Sequence, residues 1–162
     1  MVQAIWAKTR SPDTSTQCGC VIINSRGCIV GQGYNGYPRG VNDDKMPQMR
    51  PEKYPPILHS EENAILNSTG DLEDATLYVS GPPCTHCWAH IIQKGIKRVV
   101  YGPITTSQSG LYTDAKLEDV NQVVKDMLEN QDIEVVRWIP KDKGLISDEL
   151  EYIHCIMMGI NP

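Results

Sequence analysis

Nowhere in the 162 residues is there an apolar run of the ~18–20 positions that a membrane span requires, and no basic-then-apolar leader opens the chain. The expectation is a soluble, cytoplasmic protein without a membrane partner. Positive charge is also short: 15 Lys and Arg stand against 20 Asp and Glu, a formal net charge of −5. That balance argues against nucleic acid as a partner, since phosphate neutralisation by Lys and Arg dominates such binding. Internal repeats and low-complexity stretches are absent, so Gly and Pro supply the punctuation. What is present, 40% hydrophobic residues, suffices for one compact domain over 1–162 that buries ~70% of its unfolded surface.

Read from its punctuation, the chain starts with a short helix over 2–10. Residues 18–24 and 28–34 then alternate or run apolar around a Ser25-Arg26-Gly27 turn, which predicts an antiparallel hairpin. Five prolines between 37 and 56 predict a long loop. A helix from His59, a strand near 75–80, a helix to Lys94 stopped by Gly95 and a strand near 96–101 follow as a βαβ pattern. Leu117, Val120, Val124, Met127 and Leu128 form a helical stripe, Ile133, Val135, Trp138 and Ile139 suggest a fifth strand, and Ser147 caps a last helix carrying Leu150, Ile153, Met157 and Ile160. The sum is an α/β fold of three α-β-α layers around a five-stranded mixed sheet.

Two segments carry chemistry: His59-Ser60-Glu61 and Pro83-Cys84-Thr85-His86-Cys87. Cys84 and Cys87 share one face of a helical first turn that Pro82 and Pro83 lead into, and His59 opens a second helix. Thiolate and imidazole donors suit zinc, and three of them leave a fourth position for water, as in catalytic rather than structural sites. Two helix amino ends directed at the metal would favour the thiolates. Glu61, two residues past His59, does not share its helix face, so a separate acid/base role suits it better than ligation. Of the six cysteines, Cys18, Cys20, Cys28 and Cys155 read as buried core fillers in a reducing compartment.

H-x-E followed by P-C-x-x-C resembles the signature of the zinc-dependent cytidine/deoxycytidylate deaminase superfamily. Ser15 through Ile23, Ile29 through Gly40, Asp43-Asp44, His59 through Ile65 and Gly95 through Val99 are similar to the deoxycytidylate deaminases within it. The resemblance implies a cytidine-deaminase-like fold, Zn2+ as cofactor, His59, Cys84 and Cys87 as its ligands, and Glu61 as proton shuttle. It implies that Asn35 bonds the sugar 3′-hydroxyl, that the Ser60 backbone N–H faces the pyrimidine O2, and that Thr16 and Tyr112 lie at the substrate. Ser60 and Glu62 depart from the family, which usually has alanine and an apolar residue there.

The expected activity is hydrolysis of dCMP to dUMP and ammonia by a homo-oligomer. Acceptance of more phosphorylated deoxycytidine nucleotides and a nucleoside triphosphate as allosteric partner stay open. Alternatives are a deaminase of another aminopyrimidine and a non-catalytic, zinc-stabilised nucleotide-binding module. Residues 1–53 carry seven basic and four acidic side chains, whereas 54–162 carry eight and sixteen. Lys8, Arg10, Arg39, Arg50 or Lys53 is therefore expected to meet phosphate at the pocket mouth, Arg10 among the substrate contacts. Gly31-Gln32-Gly33-Tyr34-Asn35-Gly36 also matches the dinucleotide fingerprint, but Pro38 and Gly40 oppose the helix it requires. The reading there is a strand-end turn shaped for a nucleotide sugar.

Overall fold

A computed structural model describes residues 1–49, 51–102 and 122–139. In chain order the elements are α1 (Val2–Lys8), β1 (Gly19–Ile23), β2 (Ile29–Tyr34), a 3-10 turn (Asp43–Lys45), α2 (Ser60–Leu66), β3 (Thr76–Val79), α3 (Thr85–Gln93), β4 (Arg98–Tyr101), α4 (Gln122–Leu128) and β5 (Glu134–Arg137). Arg50, Tyr112, Leu117, Val120, Cys155 and the helix expected after Ser147 lie outside the described residues.

The strands form one mixed sheet in the order β2-β1-β3-β4-β5. β1 is antiparallel to both β2 and β3, while β3, β4 and β5 run parallel. Gly19-Cys20-Val21-Ile22 is buried throughout, as a strand covered on both faces must be. The hairpin closes where the Asn24 side chain accepts from the backbone N–H groups of Arg26 and Cys28.

Register assigns the faces. Paired residues point the same way, so Cys20 and Gly33 share one face and Gly19 and Tyr34 the other. A Cβ on Gly33 would overlap the Ser60 carbonyl and the Ala64 backbone N, and one on Gly19 would overlap Ala4 and Lys8 backbone atoms. Helices α1 and α2 therefore cover opposite faces, giving three layers. Cys20, Ile22, Ala64, Leu77, Trp88, Ile91, Val99 and Val124 join in one buried cluster, which places α3 and α4 beside α2. Gly31 and Gly33 thus lie within β2, as a strand over 28–34 requires, and under α2, because only a residue without a side chain permits this approach; Asn35 and Gly36 follow at the strand end.

Helix α3 ends in a Schellman motif: Gly95 has φ +69°, its N–H bonds the Ile92 carbonyl, and the Ile96 N–H bonds the Ile91 carbonyl. Cysteine burial departs from expectation. Cys20 is core, but Cys28 is exposed at the end of the hairpin turn and Cys18 is only partly buried. No helix among the described residues is long and apolar enough to cross a membrane.

Candidate metal centre and substrate cavity

His59 is the N-cap of α2 and Cys84 the N-cap of α3, each carbonyl accepting its helix's first bond, from Asn63 and Trp88 respectively. Cys87 lies one turn into α3, facing the core. His59 Nδ1 stands 3.4 Å from Cys84 Sγ and 3.4 Å from Cys87 Sγ, and the two sulfurs are 3.6 Å apart. Zinc at ~2.1 Å from nitrogen and ~2.3 Å from sulfur sets tetrahedral edges of about 3.6 Å and about 3.8 Å. The three donors already span one face of such a tetrahedron, so they fit the ion.

Proton affinities in the cluster follow from this crowding. The Cys84 thiol is held down to about 3, first by the Cys87 sulfur beside it, against the upward push of burial, and then by His59. Cys87 is pushed up, first by Cys84 and then by burial. His59 is raised chiefly by Cys84.

A cavity of about 180 Å³ adjoins these donors, with Glu61, Ser60, Asn35, Thr16, Cys18 and Val79 among its walls. One water needs only ~10–15 Å³, so the space suits an organic molecule rather than solvent alone. Glu61 is 5% exposed, and burial lifts its carboxyl above the usual range. The Ser60 hydroxyl donates to Glu61 Oε2 at 2.8 Å and pulls part of that shift back. Glu62 does not line the cavity; it groups with His86 and His90 instead.

Asn35 lines the cavity, but its amide is largely engaged within the protein. Its Oδ1 accepts the Cys18 N–H at 2.6 Å, and its Nδ2 donates to the Thr16 carbonyl at 2.9 Å. Those bonds set the loop that leads into β1; the carbonyl oxygen keeps a second lone pair.

The basic candidates separate. Lys53 lines the cavity, yet its ammonium is bound by both oxygens of Asp13 at 2.8 Å and by the Ser15 hydroxyl, with the Lys53 and Asp13 side chains 4% and 5% exposed. It is a neutralised pair in the wall rather than a free cation. Arg10 is not brought to the cavity: its guanidinium lies 5.3 Å from the centre of the Tyr34 ring, in a groove shared with Arg39. Lys8 lines neither space.

Asp13 is the wall residue that sequence reasoning missed. Its Oδ1 also accepts the N–H groups of Ser15 and Thr16, an Asx turn that Asp13-Thr14-Ser15 could have signalled. Its partner forty residues away had no such signal.

Residues 1–103 match the family described as the cytidine and deoxycytidylate deaminase zinc-binding region. A deoxycytidylate deaminase of Pongo abelii is 35% identical over 155 residues, covering 91% of this chain and 82% of that protein. The deoxycytidylate deaminase of Homo sapiens is 42% identical over 108 residues, covering 62% of this chain and 61% of its own length. In three dimensions a dCMP deaminase from the cyanophage S-TIM5, solved in complex with dCMP and dUMP, has a TM-score of 0.58 at 21% identity, over 84% of this chain and 91% of that one. That likeness shows a shared fold.

Proposed function

From the premise that this chain belongs to the cytidine and deoxycytidylate deaminase family, we propose that it is the hydrolase its relatives' names describe, converting dCMP to dUMP and ammonia. The carrying observation is the convergence of His59, Cys84 and Cys87 within 3.4–3.6 Å of one another at the edge of a cavity walled by a buried carboxylate.

His59, Cys84 and Cys87 would hold the zinc. Zinc bound there supplies Lewis acidity, which makes water a nucleophile at neutral pH. Glu61 moves the protons: it accepts one as water adds to ring carbon C4, delivers it to N3, then takes the proton of the new C4 hydroxyl and passes it to the exocyclic amine as the C4–N bond breaks and the C4 carbonyl forms. Its burial suits it to both directions, because desolvation lifts the carboxyl above the usual range and strengthens its hold on a proton it must take before giving it up. Ser60 orients that carboxylate through its hydroxyl, while its backbone N–H, at the first position of α2, is available to a carbonyl such as O2 of the ring. Asn35 and Thr16 flank the sugar, with Asn35 Oδ1 offering its remaining lone pair to the 3′-hydroxyl. The same reading makes the protein a cytoplasmic homo-oligomer.

Ammonia release from deoxycytidine and its mono-, di- and triphosphates, measured side by side on the zinc-loaded protein, tests the assignment. Preference for the monophosphate is the expected result. Better turnover of the triphosphate would mean a pocket open to longer phosphate chains, and silence on all four would favour another aminopyrimidine or a non-catalytic zinc module. Glu61→Gln should keep its zinc and lose ~10²–10⁴-fold in kcat. Full activity in that variant would remove Glu61 from proton transfer.

A further inference from the structure

We infer that Glu62, His86 and His90 form a second metal site, built between α2 and α3 and separate from the His59, Cys84 and Cys87 centre. Donor atoms of the three residues all lie within 4.8 Å of one another. His86 and His90 are four apart on α3, so they share a helix face, and their rings stand edge to face with centroids 4.6 Å apart. Glu62 reaches the same point from the first turn of α2. His90 contributes an independent sign: its Nδ1 is buried without a hydrogen-bond partner among the described residues. A buried ring nitrogen left without a bond is destabilising, and a cation held by the cluster lets the ring orient to satisfy it.

Two imidazoles and one carboxylate form a donor set of borderline softness and single negative charge, suited to zinc or nickel rather than calcium or magnesium. Tetrahedral nitrogen and oxygen donors at ~2.0–2.1 Å lie about 3.3 Å apart. None of the three residues is fully buried, which leaves their side chains room to close from 4.8 Å. The position gives the site its consequence. Glu62 follows Glu61 directly, and His86 falls between Cys84 and Cys87, so a cation here ties together the two helices that present the proposed zinc ligands. It is a staple behind the cavity, not a participant in it.

Calorimetric titration of the full chain, already holding one equivalent of zinc, with Zn2+ or Ni2+ is the test. The expected result is a second equivalent bound in the micromolar range or tighter. His86→Ala/His90→Ala should abolish it while retaining the first equivalent. Cobalt separates the sites spectroscopically: the first equivalent brings a near-ultraviolet thiolate band, whereas the second adds only ligand-field absorption. Glu62→Gln, a near-isosteric change at a half-buried position, guards against misfolding; it should weaken the second equivalent about tenfold and reduce the accompanying rise in melting temperature. No second equivalent in the unaltered protein, or one undiminished in either variant, overturns the proposal.

Discussion

The hydroxyl of Ser60 is spent on Glu61. Hydrogen bonds to charged groups are worth about 1.5–3 kcal/mol, and here the bond fixes the carboxylate's direction rather than binding substrate. Ser60→Ala is therefore expected to lower kcat about tenfold with KM and zinc content nearly unchanged. Steady-state kinetics with metal analysis distinguish this from the alternative: a raised KM at constant kcat would make Ser60 a substrate contact. At this scale much of the site was readable. The spacing His59-x-Glu61 and Cys84-x-x-Cys87 places donors on helix first turns by local geometry alone. Arg10 and Lys53 were not readable to the same degree, because the partner of a long cation is decided by packing. Tyr34 takes the one and Asp13 the other.

At the scale of elements, the contact of α2 with β2 positions half of the metal centre. Gly33 lets the backbone of α2 lie directly on the strand, one residue from His59 at the Ser60 carbonyl. Gly33→Ala forces that helix outward; overpacking costs typically ~1–3 kcal/mol, and zinc affinity should fall with stability. Gly95→Ala is the contrast. Its φ of +69° disfavours an L side chain, and its Cβ would strike the Glu73 carboxylate, so it destabilises by a similar ~1–3 kcal/mol. It does so at the far end of α3 from Cys84, and zinc affinity should hold. Denaturant midpoints with chelator competition measure both; equal loss of zinc in the two would mean that affinity only tracks global stability. The hairpin and βαβ unit were legible because alternation, Ser25-Arg26-Gly27 and Gly95 act locally. What Gly31 and Gly33 lie against was not, since a glycine pair signals close approach without saying to what.

Across the whole molecule, the pair of Asp13 and Lys53 joins the segment before β1 to the long loop before α2. Burial alone would raise the Asp13 carboxyl, but Lys53, the N–H groups of Ser15 and Thr16, and the Ser15 hydroxyl outweigh it, lowering it from 3.8 to about 2. A carboxyl that titrates lower when folded contributes its full stabilisation above pH ~4 and loses it as pH falls through ~2, a term of roughly 2 kcal/mol. Lys53→Met removes the principal cause and leaves a buried, unpaired carboxylate, costing about 3–5 kcal/mol near neutrality. Urea unfolding from pH 5 down to 2.5 should show the gap between variant and parent narrowing toward acid, a zinc contribution common to both cancelling in the difference. A gap constant with pH would mean that the pair carries no such term. Among the described residues, the cavity wall runs from Asp13 to Cys84, and the last proposed ligand is Cys87. During synthesis, β1, β2, β3, α2 and α3 will all have emerged from the ribosome before β4 and β5. The antiparallel half of the sheet and the three proposed donors are therefore complete in the chain before either of the outer parallel strands follows.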